Sequence, residues 1–270
     1  MPNWVQRAGK YRKLYRKFGI TIRLWLTLIV LAIWVSQYAF PQTRTVVSVP
    51  FVGCESHDQA ETYKAPTAPE KKVQITTSSA QKLAYYKAEI SSGVLAPRGW
   101  HCFGVLGSSG SDFLITPQPL NRSELFWSAL EKIKGPAIQV RESCSDNSGR
   151  FDMARVIARV FPKQKAFAQD ILQLDDYAAS EFPFGPYPQD NLIRQNDWIV
   201  EYRTPSDSEG LGTINGLPTG NLPVQGVAIL RDQSVDCLFF LAVRLPSDMA
   251  NLAQEIIKQA EHEYGAQSKP

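Results

Sequence analysis

A chain of 270 residues that is 44% hydrophobic and 20% charged is long enough to bury a core and too apolar to be a disordered tail. Its net charge of +3 conceals a segregation: residues 1–54 carry eight Lys and Arg and no acid, and subtracting those eight from 29 leaves 21 basic against 26 acidic residues, about −5, in residues 55–270. That mildly acidic remainder excludes nucleic acid as its partner, because phosphate binding needs a basic face.

The basic tail, 1–18, is amphipathic. Trp4, Ala8, Tyr11, Tyr15 and Phe18 recur at three- and four-residue steps among Arg7, Lys10, Lys13 and Lys17, and the simplest reading is a topology determinant. Leu24–Phe40, "LWLTLIVLAIWVSQYAF", is an uncharged apolar run of 17 residues. With Ile20–Arg23 it reaches across a hydrocarbon core of about 30 Å. A transmembrane signal anchor is therefore expected over 19–40, with the tail cytoplasmic and the rest periplasmic or extracellular, at the bacterial inner (plasma) membrane. Membrane lipid is then the expected partner of residues 1–40. A cleaved signal fits less well, since Gln37 stands where a small residue is needed for a cut after Ala39. A lipoprotein signal at "FVGC", Phe51–Cys54, is disfavoured by the polar stretch containing Arg44 between the apolar run and the cysteine.

Residues 41–78 are rich in Pro, Thr, Lys and Glu without a sustained apolar period, which predicts a stalk with a short strand at Val46–Phe51. A folded domain is expected over 79–264, followed by a disordered tail, 265–270. "SSAQKLAYYKAEI" reads as a helix with a serine cap; "WHCFGVL" and "SDFLITP" read as strands joined through "GSSG". A helix is expected from Ser123, a strand at "PAIQVRESC", and two helices at "FDMARVIARVFP" and "KAFAQDILQL". The aromatic "SEFPFGPYPQD" reads as irregular, and strands follow at "DWIVEYRTP", "VQGVAILRD" and "CLFFLAVRL". An amphipathic helix with Ser247 as its cap ends the domain. Mixed elements without βαβ spacing predict an α+β class with a predominantly antiparallel sheet behind the single transmembrane helix.

Four cysteines, Cys54, Cys102, Cys144 and Cys237, lie on the outer side of this topology, which predicts two disulfides. Three pairings are open, and positions near strand ends favour Cys102–Cys144 with Cys54–Cys237. The spacings match no zinc pattern, and no metal or other cofactor is expected. His101 beside Cys102 invites a cysteine hydrolase reading, but neighbours on a strand point to opposite faces. Gly104, Gly107 and Gly110 match no phosphate cradle and suit a hairpin. His57 lies among Glu55, Asp58 and Glu61 in the expected stalk, a poor place for a metal cage, and His262 reads as a solvated helix face.

The loop Thr204–Asn221 is the strongest candidate site, because a loop that long between strands is unusual unless it binds something. Arg203, Asp207 and Glu209 sit in or beside it, and with His101 they are the candidate binding residues. "VPFVGC", "APRGWHCFG", "EGLGT" and "LAVRLP" together resemble a family of uncharacterised single-span bacterial envelope proteins; the resemblance implies the compartment and no activity. The expected function is binding of an envelope component or partner protein. The alternative is an envelope hydrolase acting on cell-wall or carbohydrate substrate through Asp207, Glu209 and His101. "FPFGPYP" is a candidate aromatic docking patch for the first reading.

Overall fold

The computed structural model describes residues 43–58, 60–119, 133–174, 182–214, 216–231 and 236–268. The tail 1–18, the segment 19–40 and nearly all of the helix expected from Ser123 lie outside them. Among the described residues the chain begins with β1 (Thr45–Cys54), β2 (Ser56–His57), β3 (Thr62–Tyr63), β4 (Glu70–Ile75), α1 (Thr77–Ala80), β5 (Leu83–Ala88) and β6 (Val94–Pro97). It continues with β7 (His101–Gly107), β8 (Gly110–Thr116), β9 (Ala137–Cys144), α2 (Gly149–Val160) and α3 (Lys165–Leu174). The last elements are β10 (Asn191–Arg194), β11 (Ile199–Thr204), α4 (Leu211–Ile214), β12 (Val224–Arg231), β13 (Cys237–Arg244) and α5 (Leu252–Tyr264).

The strands form two sheets. A small one has the order β4-β1-β5-β6, and a nine-stranded one runs β10-β11-β12-β13-β9-β8-β7-β2-β3. Side-chain alternation on the large sheet explains why both of its faces are covered. On β13, Phe239, Leu241 and Val243 join a core shared with the small sheet and α5. Leu238, Phe240 and Ala242 face the other way, into a core shared with α2, α3 and α4. The helical spacing read in α2 is the spacing of its packed face, since Met153, Val156, Ile157 and Val160 are all buried.

This corrects the expected fold on two counts. Among the described residues no helix is long and apolar enough to cross a membrane: the longest, α5, has 13 residues where about 20 are needed. Nor is there a single sheet, although most of the pairings are antiparallel. The strands build two mixed sheets, with β1 parallel to β5 and β2 parallel to β7.

Three local expectations also change. Residues read as a stalk supply β1 and β4, paired from Thr45 with Ile75 to Pro50 with Glu70. "LAYYKA" is a strand, because Leu83, Ala84, Tyr85 and Tyr86 are all buried as β5 between β1 and β6. Burial on both faces removes the polar stripe a surface helix needs, and β-branched or aromatic side chains suit a covered strand. The helix there is confined to α1, and its cap is Thr76, whose Oγ1 accepts from the Ser79 N–H at 3.3 Å. Ser247 opens a short 3-10 turn, and α5 begins only at Leu252.

The expected cysteine pairing is corrected too. Cys54 bonds Cys102, and Cys144 bonds Cys237. Cys144 and Cys237 are register partners on β9 and β13, with Cα atoms 4.1 Å apart, so adjacency in the sheet decides the bridge. The Cys54–Cys102 bridge closes a separation of 48 residues, for which loop entropy predicts about 4 kcal/mol. A Cys54→Ser/Cys102→Ser variant should therefore unfold at lower urea, with a loss approaching that figure. Non-reducing peptide mapping should recover only the 54–102 and 144–237 linkages, and any 102–144 peptide would refute the assignment.

Candidate functional site

The bridge Cys54–Cys102 marks the place where the chain changes sheets. β1 pairs with β5 as far as Cys54, and from Ser56 the same run pairs with β7. The register Ser56 to Gly104, carried two residues back, puts Cys54 beside Cys102, and their Cα atoms are 5.6 Å apart. Two glycines make the crossing narrow enough. A Cβ on Gly53 would lie 1.9 Å from the Pro66 carbonyl oxygen, and one on Gly104 would lie 3.0 Å from the Cβ atoms of both Ala88 and Ser56.

Where the sheets part beside this crossing they leave an open cleft of about 470 Å³. Its lining takes Trp100, His101 and Phe103 from one stretch and Val52, Gly53 and Glu55 from another, with Ala65 and the bridged Cys54 and Cys102. Trp100 is fixed by its backbone N–H, which donates to Tyr86 Oη at 3.1 Å; that hydroxyl donates in turn to the Pro97 carbonyl at 2.8 Å. His101 is exposed at the first position of β7, on the same strand face as Phe103, while Cys102 faces away and is bridged. A thiolate–imidazole pair is thereby ruled out.

The other candidate residues lie elsewhere. β11, which carries Arg203, is five strand steps from β7 in the large sheet, roughly 24 Å at the usual strand spacing. The structure does not bring Arg203, Asp207 or Glu209 together with His101, so the acid–base constellation imagined for a hydrolase is dispersed. All three are exposed.

Their loop is built to be a cover. Asp190 Oδ1 accepts from Thr204 Oγ1 at 2.8 Å and its Oδ2 from the Leu211 N–H at 2.8 Å, while the Gly212 N–H donates to Thr204 Oγ1 at 3.0 Å. Burial raises the Asp190 carboxyl above its usual range, opposed by these donors and by Arg159. Leu211 and Leu217 fill the core beneath, and Asp207 takes a positive φ of 53° as its N–H bonds the Gly220 carbonyl at 2.8 Å. The length of the loop is thus accounted for by what it covers.

Nor is "FPFGPYP" a bare patch. Phe182 is buried, the Arg159 guanidinium lies 3.5 Å from the Tyr187 ring centre, and the Lys165 ammonium lies 4.9 Å from that of Phe184. Cations from α2 and α3 cap these rings. In the "CESHDQAE" stretch, Asp58 closes a turn by accepting from the N–H groups of Ala60 and Glu61 and from Tyr63 Oη, each at 2.7 Å. The Glu61 bond first, and then Tyr63, hold its carboxyl below the ordinary value.

Sequence reasoning passed over Trp100, weighed Glu55 only beside His57 for a metal, and missed two buried charged residues, Glu201 and Arg244, and the half-buried Glu142. Glu201 stands inside the apolar β11 with Lys258 Nζ at 2.5 Å and Gln254 Nε2 at 3.2 Å; Gln195 Nε2 also donates to it, and Lys258 reaches Glu261 at 2.8 Å. Arg244 ends β13 fully buried and donates to the carbonyls of Gly135 at 2.8 Å, Pro218 at 2.5 Å and Ile133. Burial pulls its guanidinium down to about 10. Glu142 accepts from Arg231 at 2.6 Å and from the Ser92 N–H at 2.6 Å. The available signal was a lone charge within an apolar run, as in "WIVEY" and "FLAVRL".

Comparisons with family models, with curated proteins and with solved structures each returned no match.

Two predictions follow from the buried charges. Burial opposes ionisation of Glu201, but the bonds from Lys258, Gln254 and Gln195 outweigh it and hold the carboxyl below its ordinary 4.5. Its contribution is therefore complete above about pH 4.5 and is lost as pH falls through the lowered value. Lys258 is shifted upward and stays charged throughout this window, whereas half-buried Glu261 is shifted upward and acts in the opposite sense. The stability gap between wild type and Glu201→Gln, measured by urea denaturation, should be widest near pH 6 and narrow toward pH 3. A gap that widens on acidification would contradict this. Arg244→Met leaves three buried carbonyls without their donor and should cost about 3–5 kcal/mol of unfolding free energy, whereas exposed Arg203→Met should cost under about 0.5 kcal/mol.

Proposed function

We propose that this protein is a non-enzymatic binding module of an oxidising, extracytoplasmic compartment of the bacterial envelope, and that the cleft beside Cys54–Cys102 receives its ligand. The compartment reading is supported by the bridges: all four cysteines are paired and none is free. The observation that carries the site is the cleft itself. Its volume, about 470 Å³, lies in the range of small-molecule sites, roughly 300–1,000 Å³, and it combines aromatic and aliphatic walls with a few polar groups. A binding reading also needs no convergence of acids and bases, which the strand order denies to His101, Asp207 and Glu209.

A ligand screen on the oxidised full chain, followed through the indole N–H signals of its tryptophans, tests this assignment. Trp100→Phe identifies the signal of Trp100. Ligands should shift that signal first, and the shift should vanish in the Cys54→Ser/Cys102→Ser variant while the fold persists. Ligands that gather instead at Trp198, which lines a smaller cavity of about 160 Å³ with Met153, Ile157 and Phe167, would place the binding site elsewhere.

A further inference from the structure

The chemistry of the cleft walls narrows its ligand, an inference that rests on the cleft being the binding site. Among the described residues its lining includes no Lys or Arg, and the body of the chain is acidic, which gives phosphate and polyanions no counter-charge among them. Among the described lining residues only His101 and Glu55 carry side-chain nitrogen or oxygen ligands, the cysteines are bridged, and a metal would lack a full set from them. A peptide joining as an added strand would find the β7 edge occupied from Gly104 onward, which leaves only the short His101–Phe103 stretch beside the cleft. The Gly104 N–H donates to the Glu55 carbonyl at 3.0 Å, and Ser56 and His57 hold the next positions. An acyl chain needs an enclosed apolar channel, whereas this cleft is open, with exposed His101 at its edge.

What suits the remaining features is a neutral molecule with one apolar face and a hydroxylated rim. Trp100 supplies an aromatic side chain whose backbone is tied to Tyr86, and His101 and Glu55 line the cleft with it. We infer that the cleft binds a neutral glycan, with the C–H face of a pyranose ring on Trp100 and ring hydroxyls meeting His101 and Glu55. The ligand class is that of envelope polysaccharide, recognised as a short segment and not cleaved.

The test is calorimetric titration of the oxidised full chain with the β-1,4-linked tetrasaccharide of N-acetylglucosamine and, separately, with short uncharged peptides. The tetrasaccharide should bind saturably. Trp100→Ala should weaken it at least tenfold, Trp100→Phe less than that because a ring remains, and His101→Ala about three- to tenfold. The distant surface variant Arg203→Ala should leave it unchanged. Thermal unfolding of each variant separates lost binding from lost fold, and a misfolded Trp100→Ala leaves Trp100→Phe and His101→Ala to decide. Peptides that bind through Trp100 where the sugar does not would overturn the glycan assignment and keep the cleft. Sugar binding that none of the Trp100 and His101 variants weakens would overturn the cleft itself, and absence of any sugar binding would overturn the glycan proposal.

Discussion

One run of chain, Thr45–His57, belongs to both sheets, and the placement of everything else depends on it. Its first half pairs with β4, the next four residues pair with β5, and the last two with β7. A strand shared this way fixes the register of two sheets at once, since a slip of one residue would turn each buried side chain to the wrong face. The Cys54–Cys102 bridge fastens the shared run at the residue where it leaves one sheet for the other. Gly53 and Gly104 let it lie close enough to do so, with backbone or Cβ atoms where their own side chains would stand. The cleft is a by-product of that geometry: two sheets joined through one strand cannot stay in contact along their full width, and they part beside the junction.

Three of the elements that cover the large sheet are tied to it through carboxylates. Glu142 on β9 reaches the Ser92 N–H and so holds the turn between β5 and β6 of the small sheet. Glu201 on β11 takes Lys258 and Gln254 from α5. On the opposite face, Asp112 on β8 holds Arg141 of β9 at 3.0 Å, and Arg141 lies 3.9 Å from Asp152 of α2. Hydrophobic burial supplies most of the free energy of packing these layers but is indifferent to direction. A partly buried ion pair contributes little net stability, and its loss on one side leaves a charge in a poor environment. Such pairs therefore select among packings of similar burial, and here each layer has its own.

The parts of this fold that were legible in the sequence are those in which local pattern and tertiary burial agree. The α2 helix shows its packed face as Met153, Val156, Ile157 and Val160, and β13 shows its depth as an unbroken apolar run. The failures come where a nonlocal partner decides. "LAYYKA" has helix-compatible residues, and only its position between β1 and β6 makes it a strand. "EKKVQI" reads as linker because Val73 and Ile75 alone are buried, and its partner in β1 lies beyond β2 and β3 in the chain. The cysteine pairing was beyond reach for the same reason: Cys144 and Cys237 are 93 residues apart in the chain and opposite one another in the sheet. At the candidate site, His101 was visible as an isolated polar residue, whereas Trp100 and Glu55 acquire significance only when two sheets converge on them.

The contrast between the two loci first marked for function shows how the fold discriminates them. The 204–221 loop has the glycine content and carboxylates of a mobile binding loop. Yet Asp190, Thr204 and Arg244 tie its backbone down, and Leu211 and Leu217 anchor it in the core. Its polar atoms are largely engaged in holding its own shape. The crossing at Cys54–Cys102 has the reverse arrangement. There the backbone is held by two sheets, a bridge and the Tyr86 hydroxyl, while partly buried Trp100 and exposed His101 line the cleft. Recognition favours rigid support beneath outward-facing groups, because a preorganised wall loses little entropy when a ligand settles on it. By that criterion "GWHCFG" suits the binding role proposed for the cleft better than the acidic loop does.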